Sequence, residues 1–332
     1  MGLIYQPAFS LSADGRDITA QIQRNLISLT LTDKSGNESD RLAISIAAPD
    51  MPLPSKGAVL RLSLGFGDAL VSKGAFVVDE VTVSGPPRQI QIVAKAAPMD
   101  GAKQTAQLQT QKTRSWDDVS LGDLVRTVAA DHGLVPKVSG ALAAQRLEHV
   151  DQINESDMSL LTRLARQYGA VSKPANGQLL FLNAGEGKSI SGRSLRVETL
   201  TPGMISRYQA RFSSRNDVKR VVAAYHDAAS GETKEVSSGA GEPEFRIAFQ
   251  YPNKAEAEAA VSARIKSVKA GTDTLDVSLP ASPGLLNLVA EGHVVLDGFG
   301  QGEDGKWRLK SVEFSLAQSG LQIRLSGDHG AE

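Results

Sequence analysis

The chain has no cysteine among its 332 residues. That excludes a disulfide scaffold and any thiolate metal site, and it suits folding in a reducing cytoplasm. An excess of one charge is missing too. The formal net charge is −1, so no global field draws in nucleic acid or an anionic membrane. No apolar run approaches the ~20 residues of a membrane-spanning helix. The opening segment MGLIYQPAF lacks the basic start and long apolar stretch of a secretory signal. The expected site of synthesis is therefore the cytoplasm, with exit only as part of a particle. Aromatics are sparse: 2 Trp and 5 Tyr leave little to stack against sugars in a polysaccharide cleft. The histidines, His132, His149, His226, His293 and His329, form no HxH, HxxxH or HExxH. No metal site and no cofactor are expected.

What is present is ordinary globular material, long enough for two or three domains. The first hundred residues read as strands. Segments 26–31, 42–46, 58–66, 75–83 and 89–94 show two-residue periodicity bounded by Gly, Pro, Asp or Ser. In 58–66, Val59, Leu60, Leu62, Leu64 and Phe66 supply the apolar positions, and Arg61 and Ser63 the polar ones. Strands without an intervening helix predict a small barrel over 1–100. Residues 101–114 are polar and without period, and read as a connector.

A compact α/β module is expected over 115–188. Ser120 is a candidate N-cap, with Asp123 three positions on. Leu121, Leu124, Val125, Val128 and Ala129 follow as a buried stripe, and Gly133 closes the helix. A short strand over 147–150 leads through a polar loop, 151–155, to a second helix capped by Ser156, with Asp157 at its positive end. Met158, Leu161, Leu164, Ala165 and Tyr168 share one face, Gly169 ends the helix, and 174–177 read as a turn before a strand at 178–182.

From about residue 189 the strand pattern returns, at 217–225, 244–249, 273–279, 294–299, 306–316 and 321–325. One helix, 254–269, interrupts it. Asn253 and Glu256 form its capping box, and Ala257, Val261, Ile265 and Val268 line one face. Gly271 ends it, and residues 227–243 have the small, polar composition of a loop. The predicted fold is mixed β and α+β: two small β-barrel domains, 1–100 and 189–332, flank the α/β domain.

One string is more specific than these patterns. Residues 147–181, LEHVDQINESDMSLLTRLARQYGAVSKPANGQLLF, resemble the late-control D family of contractile phage tails. That family carries a strand, Q-x-x-ESD, a helix with LxRLAxxxG, and a strand. The signature falls on Gln152, Glu155, Ser156, Asp157, Leu161, Arg163, Leu164, Ala165 and Gly169. The closing pattern LVAEGHVVLDGFG and GKWRLKSVEFSLAQSGLQIRL is similar too, so matching features span roughly 115–326. The first hundred residues agree in being all-β.

The resemblance implies a baseplate hub, not an enzyme: a homotrimer in which each subunit contributes two small barrels. Six barrels would then match a sixfold tail tube above and a threefold spike below. Implied partners are the tube or tube-initiator protein, the central spike, and the tape-measure and baseplate wedge proteins, within a phage tail or a tail-like bacteriocin. Two other readings stand beside it. One is a tail-associated peptidoglycan hydrolase acting through the α/β module. The other is the hub of a type VI-like secretion spike. Such hubs usually continue into a needle, and with the chain stopping at Glu332 none is expected here.

Residues suggestive of chemistry have plainer explanations. The glycines at 298, 300, 302 and 305 precede a strand, not a helix, and no GK[ST] follows. A hairpin loop is expected there instead of a phosphate cradle. Glu303 and Asp304 lack the ligand order of an EF-hand. The pairs Asp117/Asp118 and Glu155/Asp157 stand at helix starts, where capping accounts for them. His132, beside Asp131 at a helix end, reads as structural or surface. Arg207, Arg211, Arg215, Lys219 and Arg220 form the one basic cluster, read as a solvated strand face open to acidic partners.

Overall fold

The computed structural model describes residues 6–36, 38–47, 52–96, 108–175, 177–185, 195–213, 218–270 and 273–329. The first stretch forms β1 (Pro7–Ala13), β2 (Arg16–Asp17), a short helix α1 (Thr19–Gln23), β3 (Leu26–Lys34), β4 (Arg41–Ala47), β5 (Val59–Phe66), β6 (Ala69–Ser84) and β7 (Gln89–Ala96). Alternation decides the faces. Leu42, Ile44 and Ile46 are fully buried, as are Leu60, Leu62 and Leu64, whereas Arg41 and Arg61 face water. Pro7–Ala13 and the full length of β6 were not expected.

The middle stretch comprises β8 (Gln111–Ser120), α2 (Leu121–Asp131), β9 (Val135–Val138), α3 (Gly140–Ala143), β10 (Arg146–Ser156), α4 (Asp157–Tyr168), β11 (Ala170–Ala175) and β12 (Gln178–Asn183). β8 and β10 form an antiparallel ribbon, and β12 pairs antiparallel with β11 and parallel with β9. The capping signals operate as read: Ser120 accepts from the Asp123 N–H and Ser156 from the Ser159 N–H. Gly169 takes the left-handed conformation, φ 63°, that ends α4. Three expectations change. The polar segment 151–155 continues β10, with a bulge between Gln152 and Glu155. Pro174 and Ala175 belong to β11; Asn176 lies outside the described residues. The connector shrinks, because Gln111 already begins β8, while 101–107 are outside the described residues.

The last stretch holds β13 (Glu198–Leu200), β14 (Arg207–Arg211), β15 (Arg220–Asp227), β16 (Glu232–Gly239), β17 (Glu244–Tyr251), α5 (Lys254–Ala270), β18 (Thr274–Pro280), β19 (His293–Leu296), β20 (Gly305–Ala317) and β21 (Gly320–Asp328). The expected loop at 227–243 is largely strand: β16 folds back on β15 as a hairpin. Its small polar residues are those of an exposed ribbon. β15, β16 and β17 form their own sheet under α5, with Val221, Ala223, Tyr225, Ala257, Val261 and Ile265 as its core. Gly271, expected to end this helix, lies outside the described residues.

The two expected barrels are corrected by the sheet topology. The remaining strands of both ends form one thirteen-stranded sheet in the order β14-β18-β21-β20-β3-β4-β7-β6-β5-β1-β2, with β19 on β20 and β13 on β19. Among the described residues no sheet closes into a barrel. The physical reason lies at β3 and β20. Without a partner, β3 and the Ser311–Ala317 part of β20 would each be an open edge, and an edge exposes a row of backbone donors and acceptors. Here Ser28–Lys34 of β3 pairs with Ser311–Ala317 of β20, so each edge satisfies the other instead of its own half. Leu29 and Leu31 then lie level with Leu316 and Phe314, and a single hydrophobic core runs through both ends.

Polar contacts tie the middle module to this sheet. Lys173 of β11 donates to Asp33 at 3.3 Å, Asp40 at 3.1 Å and the Lys34 carbonyl at 3.2 Å. Asp33 also accepts from the Ala290 N–H at 2.8 Å. Between the helices, Gln167 donates to Glu256 at 3.0 Å, and Gly169 sits against Ala263 of α5.

Candidate functional site

Polar residues of the signature, Gln152, Glu155, Ser156 and Asp157, converge where α4 begins. Asp157, in its first turn, has no exposed surface. One carboxylate oxygen accepts from Lys112 Nζ at 2.6 Å and meets His132 Nε2 at 2.7 Å. The other accepts from Gln152 Nε2 at 2.9 Å and from the Arg114 guanidinium. Arg114 also donates to Asp131 at 2.7 Å and to Gln152 Oε1 at 3.1 Å, and it stacks over the Trp116 ring. Four elements (β8, the end of α2, β10 and the start of α4) are thus pinned to one carboxylate.

Burial pushes the Asp157 carboxyl up, but the hydrogen bonds from Lys112, His132 and Gln152 and the charge of Arg114 outweigh it and bring it down to about 2. A group this acidic stays ionised near neutrality, and with no accessible surface it meets no substrate. General acid–base chemistry needs the opposite, a reachable group with a pKa near the working pH. The chemistry available to this constellation is cohesion.

Glu155 and Arg163 brace the same corner, and the remaining signature residues lie further along α4 or at its end. Glu155 holds Arg163 through two hydrogen bonds, 3.2 and 2.8 Å, and Arg163 donates again to the Asp151 carbonyl at 2.8 Å. This closes the bulge of β10 onto α4. Asn154 within the bulge has φ 47°, and its N–H donates to Thr113 Oγ1 at 3.3 Å. Leu161, Leu164 and Ala165 are buried in the module core beside Leu160, while Met158 and Tyr168 are half-buried at its margin. A Cβ on Gly169 would stand 3.3 Å from the Ala263 Cβ, so its conformation and its small size both serve the α4–α5 contact.

Sequence reasoning missed Lys112 and Arg114, which fell in the supposed connector, and it placed His132 only at a helix end. The alternation Lys-Thr-Arg in β8 was the available signal, with two cations spaced to share a face. A second polar cluster was also missed. Asp328 is buried and accepts from Arg308 at 3.0 and 2.8 Å, with Lys310 at 2.9 Å.

The remaining candidates stay apart from these clusters. In the glycine-rich loop, Asp304 accepts from the Phe299 N–H at 2.8 Å, and the Glu303 carbonyl accepts from Trp307 Nε1 at 2.8 Å, as in a hairpin loop. His149 is exposed between Asp117 at 2.6 Å and Asp151 at 3.2 Å. Among the described residues, no group of three or more His, Asp or Glu is placed to hold a metal. In the basic run, Arg207 and Arg211 lie on β14, Arg220 pairs with Glu244 at 3.6 Å, and Arg215 is outside the described residues.

The family model described as phage tail baseplate hub (GPD) matches residues 100–320. The probable baseplate hub protein of Escherichia phage P2 is 31% identical over 98% of this chain and 95% of its own length. The chain belongs to the phage tail baseplate hub family. The resemblance read from the 147–181 string therefore holds, and it extends into the first hundred residues. Solved structures share the fold. A tail protein from Neisseria meningitidis MC58 matches with a TM-score of 0.72 at 14% identity, over 98% of this chain and 97% of that one. A component of the E. coli type VI secretion system matches with a TM-score of 0.58 at 10% identity, over 96% and 76%. This chain is accordingly a structural hub of a phage tail baseplate, with the fold seen also in secretion spikes.

Proposed function

We propose that this hub works as a homotrimeric symmetry adaptor between the sixfold tail tube, or its initiator protein, and the threefold central spike. The observation that carries the reading is the β3–β20 join. It sets the two β-rich ends of one chain side by side in one sheet, so three subunits present six β units in a ring. Each β-rich end stands where the family resemblance implied one barrel, and Lys173 ties the middle module to Asp33 and Asp40 of the large sheet. Tape-measure and wedge proteins are the further neighbours this placement brings within reach. Synthesis in the host cytoplasm, followed by assembly into the tail, fits a chain without cysteine.

The role is non-catalytic in this reading, and the 152–169 signature is a folding device that fixes the module's corner. Support comes from the buried Asp157, ionised near neutrality and held by Lys112, Arg114, His132 and Gln152, an arrangement suited to cohesion. Light scattering on the full chain, alone and with its cognate spike, tests the assembly, with a trimer mass expected in at least one condition. A monomer or dimer in both would overturn it. Zymography on peptidoglycan tests the rest: no clearing is expected, and lysis abolished by a single carboxylate substitution would restore the hydrolase reading.

A further inference from the structure

The described residues hold three apolar cores that share no buried residue. One lies in the thirteen-stranded sheet, one in the middle module, and one between α5 and the β15–β17 sheet. The last two units are clasped through α4 and α5. There Gly169 stands against Ala263, and Gln167 donates to the buried Glu256 at 3.0 Å.

Towards the large sheet the contacts differ in kind. Lys173 of β11 donates to Asp33 at 3.3 Å, Asp40 at 3.1 Å and the Lys34 carbonyl at 3.2 Å, and the Gly185 N–H donates to Glu291 at 2.7 Å. Leu180 is the Cα partner of Lys173 across β11 and β12, and Val171, two residues away, lies on the same face. Val171 and Leu180 are buried but belong to none of the three cores. The seam is thus a small apolar face around one lysine. Units that have cores of their own and meet over a small polar interface move relative to each other by default. The lysine also balances the charge of the seam, because Asp33 and Asp40 both pair with it and repel each other.

We infer that the middle module and the β15–β17 unit form one arm, which docks on the large sheet through Lys173 and swings away from it when that contact breaks. The arm belongs to the single subunit and does not depend on the assembly proposed above. Docking is linked to a proton. Burial and the charge of Asp33 push the Asp40 carboxyl up to about 7, against the pull of Lys173. Docked Asp40 therefore keeps a proton that it releases on undocking, when it returns towards ~4. Undocking is favoured as pH rises from about 4 to about 7 and levels off above. The other charges around Asp40 have partners within the large sheet or face water. Lys34 pairs with Glu38, Glu313 accepts from Thr32, Lys310 pairs with Asp328, and Arg41 is exposed. Lys73, brought down to about 8 by burial, donates to the Leu286 carbonyl. On the arm, Lys137 of β9 shares the face of Lys173 through Leu180.

Double electron–electron resonance between two nitroxides on the full chain tests it. A chain without cysteine takes labels cleanly at Arg126→Cys on α2 and Gln91→Cys on β7, both exposed. Diluting the labelled chain into unlabelled chain keeps the distance within one subunit. One dominant distance is expected at about pH 5.5, with the population of a second rising on the order of tenfold by about pH 8. Asp40→Asn, which has no such proton to lose, should hold the docked distance at both pH values. Lys173→Met should populate the second distance at both. A single narrow distance in all three proteins at both pH values overturns the arm. A second population of the same size in the original and in Lys173→Met overturns the lysine as its pin. Should Lys173→Met fail to fold, the other two proteins decide: a pH response lost in Asp40→Asn supports the inference, and no response, or one that Asp40→Asn leaves intact, overturns it.

Discussion

Phe314 of β20 and Leu31 of β3 are Cα partners across the join between the two ends of the chain, and both side chains are buried. Lys73 of β6 lies over the Phe314 ring at 3.7 Å and donates to the Leu286 carbonyl. Residues from opposite ends of the chain therefore close over one ring. Phe314→Ala should cost about 3–5 kcal/mol. It should destabilise both ends together, because they share a core. Trp307 fluorescence reports the C-terminal end and hydrogen exchange in β4 the N-terminal one. Two separated transitions, only one of them shifted, would contradict the shared core.

Removing the Asp157 carboxylate leaves Lys112 and Arg114 facing a buried gap. Breaking a buried pair costs about 3–5 kcal/mol, and because both cations keep some exposure Asp157→Ala should fall at the lower end of that range. The acid limb gives an independent check. The folded carboxyl is held at about 2, below its unfolded value near ~3.9, so its contribution is complete above the unfolded value. It is lost as pH falls through that window. Asp157→Asn should therefore show a shallower loss of stability between about pH 4 and 2, measured by urea unfolding at each pH. An unchanged slope would mean that the carboxylate is not held as described.

Elements whose signals are local were legible in the sequence. Ser120, Ser156 and Asn253 mark helix starts with their own side chains, and Leu42, Ile44 and Ile46 declare a strand by alternation. The β3–β20 pairing was not legible, because partners about 280 residues apart leave no mark on either strand beyond a face that any edge could match. Asp157 illustrates the same division. As a helix-start acid it was visible, and the residues that make it a hub come from β8 and the end of α2, brought together only by folding.

Leu161 and Leu164 sit at the centre of the middle module, where α4 packs on its neighbours with neither side chain exposed beyond a trace. Either one replaced by Ala should cost about 2–5 kcal/mol by chemical denaturation. Two unchanged midpoints would place the wrong face of α4 against the core.

Gly169 combines a left-handed backbone with close approach to Ala263. Gly169→Ala should cost about 1–3 kcal/mol from backbone strain, with the Cβ crowding α5 in addition. Melting temperature measures it, and Gly169→Asn, which tolerates the left-handed region better, should lose less from strain. An alanine variant as stable as the original would show that α4 ends differently.

Asp40 shifts the opposite way to Asp157. Burial, reinforced by the charge of Asp33, pushes its carboxyl up to about 7, while Lys173 pulls the other way. Lys173 itself is held above its ordinary value by Asp33 and Asp40 despite burial. For an acid with a raised folded pKa, the native state keeps a proton that the unfolded chain releases near ~4. Stability then falls as pH rises from about 4 to about 7 and levels off above. Asp40→Asn keeps the shape and the Lys173 contact without that proton, so it should lack this slope. Relative to the original, the variant should gain stability between about pH 5 and pH 8. The difference between the two proteins cancels the titrating groups that do not interact with Asp40. A difference that stays constant across that interval would show that Asp40 is ionised in the native state throughout, its charge balanced by Lys173.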